Sequence, residues 1–118
     1  MEEVIDWWKK GMKDFDSARV NFKEKLYDVA AFLCQQSIEK GLKALYLKKF
    51  KRLIKTHDLY YLGKKLNLPK NLLGICEEIS SFYVETRYPD TYAEFDEENV
   101  SPAIEKTEKV LKWIKNKI

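Results

Sequence analysis

The chain has 118 residues, 45% of them hydrophobic and 14% aromatic, enough for one domain with its own core and no need of disulfide or metal staples. Charged residues make up 35%, yet the formal net charge is only +3, which excludes both a disordered polyelectrolyte and a strongly basic nucleic-acid arm. No run approaches 18 apolar residues and no basic-then-apolar leader opens the sequence, so the reading is a cytoplasmic protein with no membrane span.

Gly and Pro are scarce, four and three respectively, and that favours long helices over hairpins. The first helix is expected from Val4 to Glu24. Ile5, Trp8, Met12, Phe15, Ala18 and Phe22 recur at spacings of three and four, which is one helical stripe. A short turn at Lys25 to Tyr27 should lead into an antiparallel second helix, Asp28 to Lys49, with Asp28 as N-cap. Its apolar residues, among them Val29, Phe32, Leu33, Leu42, Leu45 and Leu47, wrap most of the circumference, as in a central helix touched from several sides. The cationic run Lys48 to Lys55 suits the negative end of that helix dipole, or a phosphate patch.

A short helix is expected from Thr56 to Leu66 with Thr56 as N-cap, then a fourth from Lys70 to Arg87, introduced by Pro69. Pro89 restricts Tyr88 to extended geometry and ends that helix. An irregular acidic segment from Tyr88 to Asn99 precedes a last helix, capped by Ser101 with Pro102 at its first position. The fold class is all-α: an up-down bundle of four long helices plus one short one in a single domain, residues 1–118.

Cys34 and Cys76 sit in apolar stretches with no Cys or His at metal-ligand spacing, and read as buried thiols. Lys outnumbers Arg by 19 to 3 and Gln occurs twice, a composition found among heat-stable proteins. No metal site and no cofactor is expected: His57 is the only histidine, and neither a Walker loop nor a dinucleotide-binding glycine pattern is present.

Three stretches could carry chemistry. In Gln35 to Ala44, Gln36, Glu39, Lys40 and Lys43 share one side of the second helix with Phe32 and Leu47. That side is either a solvated face with intrahelical pairs or a partly buried seam for a ligand or partner. In Thr56-His57-Asp58-Leu59, Thr56 and Asp58 suit a helix start, and His57 is the lone imidazole. In Arg87-Tyr88-Pro89-Asp90, the guanidinium at a helix end either complements the dipole or holds phosphate in two-pronged fashion. Tyr83, Tyr88 and Tyr92 offer stacking faces for a base.

Taken in order, Gln-Gln-x-x-Glu-Lys-x-Leu-Lys-Ala at Gln35 to Ala44, Thr-His-Asp-Leu at Thr56 to Leu59 and Arg-Tyr-Pro-Asp at Arg87 to Asp90 resemble a HEPN domain over nearly the whole chain. The resemblance implies a helical bundle that forms homodimers and pairs with a minimal nucleotidyltransferase, often as a two-component, toxin-antitoxin-like system. Some HEPN proteins are metal-independent ribonucleases in which an Arg is followed after four to six residues by a His. Counting on from Arg87, those positions hold Tyr92, Ala93 and Glu94, and no His follows. Without that general acid/base, ribonuclease activity is not expected to carry over, unless the fold brings His57 beside Arg87.

The expectation is therefore a module that dimerises and binds a nucleotide (ATP-like) or a nucleotidyltransferase, with no independent catalysis. Its binding residues would be Arg87, Tyr88, Asp90, Gln36, Glu39, Lys40, Lys43 and His57, with Asp90 ordering the loop. The alternatives are a ribonuclease acting on RNA through Arg87 and a purely architectural dimer.

Overall fold

The computed structural model describes residues 1–118. It consists of helices α1 (Glu2–Lys23), α2 (Tyr27–Phe50), α3 (Leu59–Lys65), α4 (Lys70–Ser80), α5 (Phe82–Glu85) and α6 (Glu97–Lys115), with a 3-10 turn at Pro89–Thr91 and no strand. The bundle measures 37 × 24 × 24 Å. No helix is long and apolar enough to cross a membrane.

α1 and α2 form the most extensive helix pair. The chain reverses between them through Lys25, whose φ of 64° lies in the left-handed region. The two rods approach closely where α1 has Gly11: a Cβ there would lie 3.0 Å from the Ser37 carbonyl oxygen and 3.2 Å from the Gly41 nitrogen. α2 is the hub, packing against α1, α3, α4, α5 and α6, which accounts for apolar residues around most of its surface. Ile38 and Leu42 are fully buried among Leu59, Leu62, Ile79 and Ile114 from three other helices. α2 ends at Lys51, held in the left-handed conformation with its N–H on the Leu47 carbonyl.

The helix boundaries depart from the sequence expectations where polar side chains had more than one use. α2 begins at Tyr27 without a side-chain cap, so Asp28 lies in the first turn and is not the N-cap. α3 begins at Leu59, not Thr56. The Thr56 hydroxyl accepts from the Asp58 N–H at 3.1 Å, and the Asp58 carboxylate caps the helix through Tyr61 N–H at 3.0 Å. This leaves Thr56 and His57 outside the helix. The expected helix from Lys70 to Arg87 is interrupted at Ser81. There Ser80 Oγ accepts from Leu59 N–H, and Ser81 Oγ bonds the Glu78 carbonyl and the Glu85 carboxylate.

α6 starts at Asp96, not Ser101. Asp96 and Asn99 form a reciprocal capping box, which places Pro102 inside the helix. Two residues assigned to the apolar faces, Ile5 and Val29, are 38% and 40% exposed, and Val4 takes the inward position at the start of α1.

Candidate functional site

The middle of α2 carries polar groups into the bundle: Gln35, Glu39 and Lys43 are all buried. Buried charges are tolerated when they are paired and hydrogen-bonded, and here each of the three side chains has a partner. Glu39 Oε2 accepts from Lys43 Nζ at 3.0 Å, one helical turn on. Glu39 Oε1 accepts from Gln35 Nε2 at 3.0 Å and lies 2.9 Å from His57 Nδ1. Gln35 Nε2 also reaches the His57 carbonyl oxygen at 3.2 Å, while Gln35 Oε1 accepts from Gln36 Nε2 at 2.7 Å. The ammonium of Lys43 stands 5.8 Å from the Trp7 ring centroid.

His57 thus comes to Glu39 from the loop before α3. A carboxylate can only accept, so Nδ1 carries the hydrogen, and in the neutral imidazole Nε2 holds the lone pair. Nε2 has no hydrogen-bond partner within the chain, and the side chain is 51% exposed. Its ring lies flat on Tyr83, with centroids 3.9 Å apart and planes 12° from parallel. Arg87, one turn after Tyr83, places its guanidinium 4.5 Å from the same ring and 5.5 Å from that of Tyr88. The Phe32 ring of α2 also packs against Tyr83, with centroids 6.2 Å apart.

One strip therefore runs from Lys43 through Glu39, His57 and Tyr83 to Arg87 and Tyr88, joining all three sequence motifs. The other expected residues are placed differently. Lys40 turns toward α1, where it pairs with Asp14, and lines a shallow hollow with Asp6, Trp7 and Lys10. Gln36 reaches the strip only through Gln35. Asp90 is exposed and its side chain makes no hydrogen bond. The loop is ordered instead by the Thr91 hydroxyl, which donates to the Tyr88 carbonyl at 3.0 Å. Tyr92 is 88% exposed and takes no part in the strip. In the cationic run, Lys48 is used structurally, tying α2 to the Lys117 and Ile118 carbonyls.

Beyond Tyr83 the strip opens into a cleft of about 450 Å³ whose walls include Lys25, Tyr27, Asp28, Glu85, Arg87 and Tyr88. A second hollow of about 230 Å³, against Val29 and Phe32, shares Asp28, Thr86 and Arg87 with it. The sequence placed Gln35 at the start of a candidate stretch but not among the binding residues, and it did not single out the α1–α2 turn. Gln35 had a readable signal, since it lies one turn before Glu39 and is one of only two glutamines. Lys25 and Asp28 had none, because their approach to Arg87 depends on how the chain reverses.

The strip can bind an anion at an exposed guanidinium flanked by aromatic faces, and it can exchange a proton at the free imidazole nitrogen. No three His, Cys, Asp or Glu side chains group as metal ligands. Both thiols are free, and burial pushes Cys34 up to about 11, offset slightly by the Thr107 hydroxyl, and Cys76 up to about 12. The buried Thr107 hydroxyl has no hydrogen-bond partner of ordinary geometry and lies beside the Cys34 sulfur.

Comparison with known proteins gives a consistent result. The family model described as HEPN domain matches residues 4–117. Among solved structures, TT1696 from Thermus thermophilus superposes with a TM-score of 0.92 at 22% identity, covering 100% of both chains. ST0689, an archaeal HEPN homologue, superposes with a TM-score of 0.81 at 29% identity, covering 96% of this chain and 95% of that one. No curated protein matches.

Proposed function

The chain belongs to the HEPN domain family, and from that premise we propose that it is a dimerising helical module that binds a nucleotide through Arg87, in company with a minimal nucleotidyltransferase partner. The observation that carries this reading is the Tyr83 ring, which supports the His57 imidazole and the Arg87 guanidinium together. A guanidinium pinned on an aromatic face is pre-oriented for a phosphate, and Tyr88 and the outer face of His57 offer flat surfaces for a base. Lys40 and Asp90 lie outside the lining of such a site, and Lys43 acts through Glu39.

Exposed Val29, which shares a hollow with Phe32 and Arg87, favours a second copy covering part of this face. The nucleotidyltransferase pairing, a toxin-antitoxin-like arrangement, a cytoplasmic setting and heat stability belong to the same proposal. The test is calorimetry with ATP and other nucleotides, alone and with the nucleotidyltransferase, on the parent chain and on Arg87→Ala. Saturable binding lost in the variant supports the reading. No binding in either setting sinks it, and unchanged partners in Arg87→Ala would point to a purely architectural dimer.

A second reading is metal-independent RNA cleavage. It is favoured by one observation, the Glu39–His57 contact, which holds Nε2 free on the ring that also carries Arg87. Nε2 would take the proton of the 2′-hydroxyl as its oxygen bonds to phosphorus, the P–O5′ bond would break with the 5′-oxygen protonated by water, and the guanidinium would stabilise the charged phosphorane-like transition state. RNA incubated with chelator decides: cleavage lost in both His57→Ala and Arg87→Ala supports it, and intact RNA ends it.

A further inference from the structure

The cleft beside Arg87 holds both signs of charge, Lys25 and Arg87 against Asp28 and Glu85. That mixture does not suit a bare polyphosphate, which the carboxylates would repel. It suits a ligand with an anion at one end and N–H donors at the other, a description that fits a nucleotide. Resting on the nucleotide-binding reading above, we propose that this cleft selects guanine nucleotides and that Asp28 is the residue that reads the base.

The argument is one of hydrogen-bond inventory. A carboxylate has only acceptors to offer. Guanine presents two adjacent donors on its Watson–Crick edge, N1–H and the N2 amino group, which one carboxylate accepts side by side. Adenine presents a single amino donor next to an acceptor nitrogen that faces the carboxylate unfavourably. Cytosine and uracil present one donor each on that edge. Two charge-assisted bonds from one base to one carboxylate favour guanine over a base that can make only one.

Asp28 is the carboxylate available for this. It is exposed and makes neither a hydrogen bond nor an ion pair, whereas Glu85 Oε1 is already engaged by the Ser81 hydroxyl at 2.8 Å. Asp28 lines both the larger cleft and the adjoining hollow, and Arg87 does too. Tyr27 and Tyr88 stand on the walls of the larger cleft and offer the base an aromatic face. The cleft, about 450 Å³, falls in the size range of small-ligand sites.

The experiment is calorimetric titration of the full chain with GMP, AMP, CMP and UMP, repeated on Asp28→Asn and Arg87→Ala, with thermal unfolding to verify that each variant is folded. GMP is expected to bind at least about tenfold more tightly than AMP, in line with the discrimination of a two-pronged base contact. Asp28→Asn should remove that preference by weakening GMP about tenfold without weakening AMP, whose amino donor and ring acceptor match the amide's oxygen and N–H, and Arg87→Ala should weaken all four nucleotides alike. Equal affinity for GMP and AMP, with binding still dependent on Arg87, overturns the guanine assignment and leaves nucleotide binding standing. A GMP preference that survives in Asp28→Asn overturns the role of Asp28. Absence of binding by every nucleotide to folded protein overturns both.

Discussion

His57 lies flat against Tyr83, with the ring centroids 3.9 Å apart, so the only imidazole in the chain is fixed between a buried carboxylate and the aromatic ring that carries Arg87. The two residues are 26 positions apart in sequence, on the loop before α3 and on α5. What brings them together is the packing of α3 against α2 and α4. The Ser80 hydroxyl adds a fixed point by capping the Leu59 N–H at 3.0 Å. The strip is therefore part of the bundle and not a mobile appendage.

If Tyr83 positions Arg87, its ring and not its hydroxyl matters. Tyr83→Phe should leave nucleotide affinity within about twofold, because the face that meets the guanidinium is kept. Tyr83→Leu should weaken binding by about fivefold, the value of an exposed cation–π contact of roughly 1 kcal/mol. Calorimetry with the two variants separates these outcomes, and an equal loss in both would remove the ring from the argument.

The pairing of Glu39 with Lys43 is a liability if half of it is removed. Glu39→Gln leaves an ammonium that is 9% exposed without its counter-ion, so a loss of about 2–5 kcal/mol is expected in urea unfolding. Replacing both by Gln and Met should cost less than Glu39→Gln alone, since no uncompensated charge remains. In both variants His57 loses the carboxylate at Nδ1 and keeps only an amide oxygen there. A histidine NMR signal that shifts in step with this loss would report on the contact.

The two thiols give a pH dependence whose sign is fixed. Both have folded values raised above the ordinary 9.0, to about 11 for Cys34 and about 12 for Cys76. The folded state therefore retains protons that the unfolded chain releases. This contribution is fully present below pH 9 and is lost as pH rises through 9 toward 11 and 12, with a slope approaching about 1.4 kcal/mol per pH unit for each thiol. Urea midpoints measured from pH 8 to 10.5 should fall, and a Cys34→Ala, Cys76→Ala double variant should show a shallower fall. Ellman's reagent at pH 8 should find neither thiol in the native protein.

The bundle was legible because its signals are local and redundant. The stripes of α1 and α6, the apolar girth of α2 and the proline after Tyr88 each constrain a helix without reference to the others. Boundaries failed at Thr56, Ser81 and Ser101, where a hydroxyl can serve as a cap or turn within its own neighbourhood, and only the tertiary packing decides which. The strip was partly legible. Glu39 and Lys43 fall one turn apart, and Arg87 follows Tyr83 by the same interval. Its closure by His57, the departure of Lys40 to Asp14 and the placing of Arg87 and Asp28 on the walls of one cleft are long-range facts with no periodicity to announce them.

Two glycines in helices make opposite predictions from the same substitution. Gly74 on α4 faces open space, with nothing within 4 Å of an added Cβ. Gly74→Ala should therefore stabilise by about 0.5–1 kcal/mol, through the lower backbone entropy of the unfolded chain and the better helix propensity of alanine. At Gly11 the added Cβ would meet the Ser37 carbonyl oxygen at 3.0 Å, the Gly41 nitrogen at 3.2 Å and the Lys40 Cβ at 3.3 Å. Two of those neighbours are helix backbone, which cannot rotate away as a side chain can, so α1 would have to lift from α2. The overpacking is expected to cost about 1–3 kcal/mol, more than the propensity gain returns. The Asp14–Lys40 pair spans the same helix contact, so Gly11→Ala should also weaken it. Thermal unfolding of the two variants checks the pair of signs: a stabilised Gly11→Ala would mean that α1 and α2 are held farther apart than their close crossing here implies.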